Sequence, residues 1–137
     1  MHEPIKECGI VLLNKTLDSV LVIFQNESLK WGLPKGHMEP NELKHKLYFD
    51  CARRELLEET GIMISTQKYK KYGTLFLGSK LFYVLQLMRD VHLRKPLDTS
   101  EIGDVQWLPI KNIGPFIEHY NCNVTLRDFS HRLTTTC

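Results

Sequence analysis

No stretch of this chain approaches the roughly 20 consecutive apolar residues that a membrane-spanning helix requires, so no membrane span is expected. Cysteine is scarce: Cys8, Cys51, Cys122 and Cys137 are the only four, and no two of them form a C-x-x-C pair. A domain that can build its own core is not expected to carry a disulfide framework, and the spacing gives no support to zinc held by Cys8 or Cys51 with one of the six histidines. The cysteines read as reduced thiols. Net charge is also small, +2 with histidine neutral, so bulk electrostatics does not advertise nucleic-acid binding and any anion site must be local. Repeats, low-complexity tracts and linkers are missing. The segment Met1 to Glu7 includes Glu3 and Pro4 and lacks the basic-then-apolar layout of a secretory signal; a cytoplasmic location is expected.

What remains is a chain of 137 residues, 42% hydrophobic and 25% charged, the size and composition of one globular domain covering residues 1–137. Glu7 to Asn14 (ECGIVLLN) and Val20 to Phe24 (VLVIF) are short, apolar and rich in branched residues, the pattern of buried strands. Trp31 to Gly36 (WGLPKG) holds two glycines and a proline and reads as a loop. From Tyr48 to Thr60 apolar Cys51, Leu56 and Leu57 recur among charged residues at helical spacing, and Gly61 supplies a stop. Lys71 to Leu77 and Leu81 to Met88 read as strands joined at Gly78-Ser79, and Asp104 to Leu108 as another. Short helices are expected after Pro109 and around Val124 to Leu133. The fold class is α/β: a mixed β-sheet flanked by α-helices.

The chemistry concentrates in GHMEPNELKHKLYFDCARRELLEETGI, Gly36 to Ile62. Glu55, Glu58 and Glu59 stand at i, i+3, i+4, which gathers three carboxylates on one helical face. Like charges at this spacing repel by about 0.2–0.5 kcal/mol per pair. A hard divalent cation answers that repulsion, and an all-oxygen set favours Mg²⁺ or Mn²⁺ over zinc. An isolated R-E-x-x-E-E helix could equally be a solvated face with Arg54 paired to Glu58 one turn on.

The context decides between them. Gly36, Glu42, Arg54, Glu55, Glu58, Glu59 and Gly61-Ile62 resemble the Nudix signature G-x5-E-x7-R-E-U-x-E-E-x-G-U, with U a bulky apolar residue. One departure stands out: eleven residues, not seven, separate Glu42 from Arg54. The four extra residues amount to about one helical turn, roughly 6 Å, to be absorbed by an earlier helix start or an outward bulge.

The resemblance implies a Nudix fold and a mechanism. Glu55, Glu58 and Glu59 would hold one to three Mg²⁺ or Mn²⁺ ions, with the Gly36 carbonyl as a further ligand, so that water attacks phosphorus in line. Arg54 would orient the glutamates and Glu42 would support Arg54. Lys35 would offer its charge to a phosphate oxygen, or be a solvated loop lysine. Glu101, in TSEIGDVQW, matches the place where several Nudix hydrolases carry the glutamate that takes the water proton; it could also be a plain surface residue, with Glu58 or Glu59 as the base. Trp31 and Tyr83 could stack on a base or cap, or simply pack in the interior.

Beyond the box, CGIVLLNKTLDSVLVI, WGLPKG, DCARRELLEETG and EIGDVQWLPI are similar to the catalytic domain of mRNA-decapping Nudix enzymes, implying hydrolysis of the mRNA 5′ cap with release of m7GDP. The run GLPKGHMEP also looks like hydrolases of diadenosine polyphosphates and diphosphoinositol polyphosphates. The alternative is thus a small-molecule Nudix enzyme for dinucleoside polyphosphates, oxidised nucleotides or inositol pyrophosphates. A binding module with a spoiled metal site is a third reading, disfavoured by the intact Glu55, Glu58 and Glu59. Capped RNA needs a basic track; its candidates are Lys44, His45 and Lys46, then Lys68, Lys70 and Lys71, then Arg127, His131 and Arg132. Oligomeric state is left open.

Overall fold

The computed structural model describes residues 4–135. Its strands are β1 (Glu7–Leu13), β2 (Ser19–Gln25), β3 (Lys30–Gly32), β4 (Lys35–His37), β5 (Tyr69–Leu77), β6 (Lys80–Leu87) and β7 (Ile102–Pro109). Its helices are α1 (Pro40–His45), α2 (Tyr48–Thr60), α3 (Ile113–His119) and α4 (Val124–Thr135). None of the described helices is long and apolar enough to cross a membrane.

β1 is the spine of a mixed seven-stranded sheet. It runs parallel to β6, with Cys8 beside Leu81 and Leu13 beside Gln86. On its other edge it pairs antiparallel with β4 from Glu7 to Gly9 and meets β2 at Leu13 and Val20. β2 in turn carries β3 and β7, both antiparallel, and β5 closes onto β6 as a hairpin.

Successive strand residues point to opposite faces, and β1 and β2 are apolar on both because both faces are covered. Cys8, Ile10, Leu12, Leu21 and Ile23 pack under α2 against Cys51, Ala52 and Leu56. Val11, Val20 and Val22 face the opposite way, against Leu126 and Phe129 of α4 and Ile113 of α3. The expected sandwich of a mixed sheet between helices is therefore present, and burial on both faces explains the unbroken apolar runs in the sequence. Cys8, Cys51 and Cys122 are buried free thiols in these layers; Cys137 lies outside the described residues.

α2 has the bounds expected from its periodicity. Gly61 closes it in the left-handed conformation, φ 77°, donating its amide to Leu57 O at 2.8 Å, a conformation that side chains with a Cβ resist. Three expectations need correction. Trp31 to Gly36 is not an open loop: β3 and β4 occupy most of it, because β1 and β2 offer free edges for their amides. β5 begins at Tyr69, two residues before Lys71. A separate helix, α1, surrounds Glu42, where no helix was expected.

Candidate active site

The four additional residues of the box are absorbed by a break between two helices. α1 starts with Pro40, and its Glu39 and Glu42 form a reciprocal capping box, the Glu39 amide donating to Glu42 Oε1 at 2.8 Å. It ends at Lys46 in the left-handed conformation, φ 53°, and α2 starts two residues later. The chain thus turns outward while Glu42 stays inside, 7% exposed. Arg54 meets it with both arms of its guanidinium, Nη2 to Oε1 at 2.8 Å and Nε to Oε2 at 3.0 Å. The Arg54 hydrogen bond holds the Glu42 carboxyl below its ordinary range, and the same bond raises the basicity of Arg54.

From that anchor the guanidinium reaches the other box acids. Nη1 donates to Glu55 Oε1 at 2.9 Å and lies 3.3 Å from both Glu58 oxygens, while Nη2 donates to His37 O at 3.0 Å. Arg54 therefore ties α1, α2 and β4 together. Gly36, next to His37 in β4, is required by close approach: a Cβ there would fall inside the Glu55 carboxylate. The Gly36 carbonyl accepts a weak bond from Cys51 Sγ at 3.7 Å.

Glu59 turns inward. It is 2% exposed, accepts the Lys35 amide at 2.9 Å on Oε1, and is pushed up to about 9 by burial and by the neighbouring Glu55 and Glu101 charges. Burial also raises the Glu55 carboxyl, against the pull of Arg54. Glu58 is half exposed at the rim. The expected convergence of Glu55, Glu58 and Glu59 on one ready-made pocket is thus incomplete, and no three acidic, imidazole or thiol groups form a metal shell among the described residues. Arg54 Nη1 holds both Glu55 and Glu58, whereas Glu59 is drawn inward onto the Lys35 amide, where burial raises its carboxyl.

The donor chemistry nonetheless fits a hard divalent cation. The buried Glu59 and half-buried Glu55 carboxylates, both of raised proton affinity, the rim carboxylate of Glu58 and the Gly36 carbonyl form an oxygen-only set.

Glu101 stands where the loop before β7 approaches α2, and its charge is felt by both Glu55 and Glu59. Its own carboxyl is raised by burial and by Asp98. Lys35 lies close enough for its charge to favour ionised Glu59. The two aromatics are placed elsewhere. Trp31 packs in the α4 layer, its ring 5.3 Å from Phe24 and 5.7 Å from Phe116, the packing role rather than a stacking one. Tyr83 packs on Phe49 at the start of α2, 4.9 Å between ring centres. Asp98 and Asn26 bind the Glu101 turn; the D-x-S-E order at Asp98 is a turn signal in the sequence, whereas nothing in the sequence links Asn26 to it.

The NUDIX domain family model matches residues 5–128. The chain is 26% identical over 111 residues to the mRNA-decapping enzyme subunit 2 of Arabidopsis thaliana, covering 78% of this chain and 28% of that protein. It is 25% identical over 131 residues to the m7GpppN-mRNA hydrolase of Saccharomyces cerevisiae, covering 89% of this chain and 13% of that one. The chain therefore spans little more than a quarter of the Arabidopsis protein and about an eighth of the yeast one. The crystal structure of a C. elegans Ap4A hydrolase superposes with a TM-score of 0.63 at 22% identity, over 95% of this chain and 99% of that one, a likeness of fold. With the family model spanning nearly the whole chain and every box residue in place, this protein belongs to the NUDIX family and is a Nudix hydrolase.

Proposed function

We propose that the protein is a Mg²⁺- or Mn²⁺-dependent pyrophosphohydrolase that cleaves the 5′ cap of RNA, releasing m7GDP. The observation that carries the hydrolytic part is the Arg54-centred carboxylate set, with Glu59 buried beside it on the Lys35 amide. Glu55, Glu58, Glu59 and the Gly36 carbonyl would hold the cation. When bound, it neutralises the diphosphate and makes water a stronger nucleophile.

The chain's own groups supply the rest. Arg54 keeps Glu55 and Glu58 on the β4 side of α2. Lys35 places a positive charge beside the same cluster, suited to a phosphate oxygen. Glu101, its proton affinity raised, accepts the proton of the attacking water. Water adds its oxygen to one phosphorus, the bond from that phosphorus to the bridging oxygen breaks, and the leaving phosphate departs with the bridging oxygen.

The cap as substrate is supported by the similarity to decapping enzymes along most of the chain. A basic track is supported in part. Lys44, His45 and Lys46 end α1 and lead into Phe49, over whose ring Lys71 Nζ sits at 4.4 Å. Arg127, His131 and Arg132 belong to α4, on the opposite layer, so the three clusters do not share one face.

A second reading is favoured by one observation: the fold of an Ap4A hydrolase matches over nearly the whole of both chains, so a dinucleoside polyphosphate needs no further domain. The test is turnover of cap-labelled RNA and of diadenosine tetraphosphate with Mg²⁺ or Mn²⁺, for wild type and Glu58→Gln. Release of m7GDP that the substitution abolishes supports decapping. Turnover of diadenosine tetraphosphate alone supports the second reading, and no turnover of either refutes both.

A further inference from the structure

The residue that would remove the water proton sits on a loop, not on α2, so its position depends on whatever fixes that loop. Two side chains far apart in sequence do so. Asp98 Oδ1 accepts the Ser100 hydroxyl at 2.7 Å and the Glu101 amide at 3.0 Å, and Asp98 O accepts the Ile102 amide at 3.0 Å. These bonds close a tight turn around residues 98–102. The Asp98 amide then donates to Glu58 O at 3.3 Å, satisfying one of the carbonyls left without an intrahelical partner at the end of α2. From the other side, the Asn26 amide donates to Glu101 O at 2.8 Å, and Asn26 Nδ2 lies 3.4 Å from Thr99 O and 3.2 Å from Ser100 O. Gly103 leaves the space that the Asn26 side-chain oxygen fills; a Cβ there would overlap it.

We propose that Asp98 is a positioning residue for catalysis: its carboxylate shapes the turn that carries Glu101, and its amide docks that turn onto the backbone of Glu58, with Asn26 bracing it from the β2 side. One residue thereby registers the loop against the helix of box glutamates. A loop otherwise samples many positions, and a misplacement of about 1 Å at a reacting group costs on the order of 100-fold in rate. The proposal rests on Glu101 being the base.

The two partners of the clamp predict different responses to substitution. Asp98→Ala removes both side-chain bonds, whereas Asp98→Asn keeps an acceptor oxygen for the Glu101 amide and the Ser100 hydroxyl. Asn26→Ala removes the two side-chain bonds to Thr99 O and Ser100 O and leaves the Asp98 carboxylate bonds and its own backbone bond to Glu101 O in place.

The experiment combines kinetics with amide hydrogen exchange on the full chain, using whichever of cap-labelled RNA and diadenosine tetraphosphate the wild type turns over. Asp98→Ala is expected to lose about 10- to 100-fold in kcat with KM within about twofold. Its Glu101 and Ile102 amides should exchange faster in cation-free buffer while those of β1 are unchanged. Asp98→Asn should restore kcat to within about threefold of wild type and restore protection, and Asn26→Ala should show a milder form of the Asp98→Ala pattern. Wild-type kcat in Asp98→Ala, or a loss confined to KM, overturns the proposal. Unchanged exchange at Glu101 and Ile102 overturns the clamp while leaving the role of Glu101 intact. Wild-type kcat in Glu101→Gln removes the base itself, and with it the catalytic meaning of the clamp even if exchange responds. Should Asp98→Ala fail to fold, the same readouts on Asn26→Ala decide the matter.

Discussion

Arg54 and Glu42 face each other across the junction of α1 and α2 through two nearly parallel hydrogen bonds of 2.8 and 3.0 Å. Their side chains are 23% and 10% exposed, so the pair is largely withdrawn from water, and removing one member strands the other. Glu42→Gln is expected to cost about 2–3 kcal/mol in urea unfolding, and to lower kcat as well, because Arg54 loses the anchor from which it reaches Glu55 and Glu58. Unchanged stability would mean that the four extra residues have disconnected Glu42 from the box.

Gly36 and Glu55 compete for one volume. In Gly36→Ala the added methyl must displace the Glu55 carboxylate, so the expected outcome is a modest stability loss, about 1–3 kcal/mol from overpacking, with a fall in turnover of about 100-fold or more, as for loss of a positioned charged group. Thermal melts beside the turnover assay separate the two effects; equal loss in both would point to simple misfolding.

Glu59 makes the cation-free protein sensitive to pH. Folding raises this carboxyl from its ordinary 4.5 to about 9, so between those values the native state keeps a proton that the unfolded chain has released. The contribution to stability is fully present below 4.5 and is lost as pH rises through about 9. Its steepest slope is about 1.4 kcal/mol per pH unit for one group. Urea unfolding of wild type in chelator from pH 5 to pH 9 should show this decline, and Glu59→Gln should flatten it. A wild-type profile that rises across that range would contradict the burial of a protonated Glu59.

Lys71 lies over the Phe49 and Tyr83 rings, at 4.4 and 5.2 Å from their centres, beside the basic end of α1. If capped RNA runs over this face, Lys71→Glu should weaken RNA binding and lower the slope of log K against log salt by about 1, leaving turnover of diadenosine tetraphosphate unchanged. Filter binding across a salt series measures it; an unaltered slope removes Lys71 from the RNA path.

Much of this was legible from residues alone. α2 announces itself through Cys51, Leu56 and Leu57 and the Gly61 stop, and the branched runs of β1 and β2 reflect burial on both faces. α1 is not legible because a six-residue polar helix has no apolar stripe, and its capping box uses Glu39 in place of serine or threonine. β3 and β4 are three residues each, too short for periodicity, and exist because β1 and β2 pair with them. The box residues were readable as a set, but not the inward turn of Glu59, which depends on the Lys35 amide coming from another strand. The burial of Trp31 likewise depends on Phe116, whose helix lies more than eighty positions further on.

The most direct test of the carboxylate set is calorimetric titration of Mn²⁺ into the protein near pH 7.5, in two buffers of different ionisation enthalpy. Saturable binding with release of about one proton is expected, the proton vanishing in Glu59→Gln and the affinity falling in Glu58→Gln. Failure of the wild type to bind, or identical binding and proton release in Glu59→Gln, would contradict a cation held by these glutamates.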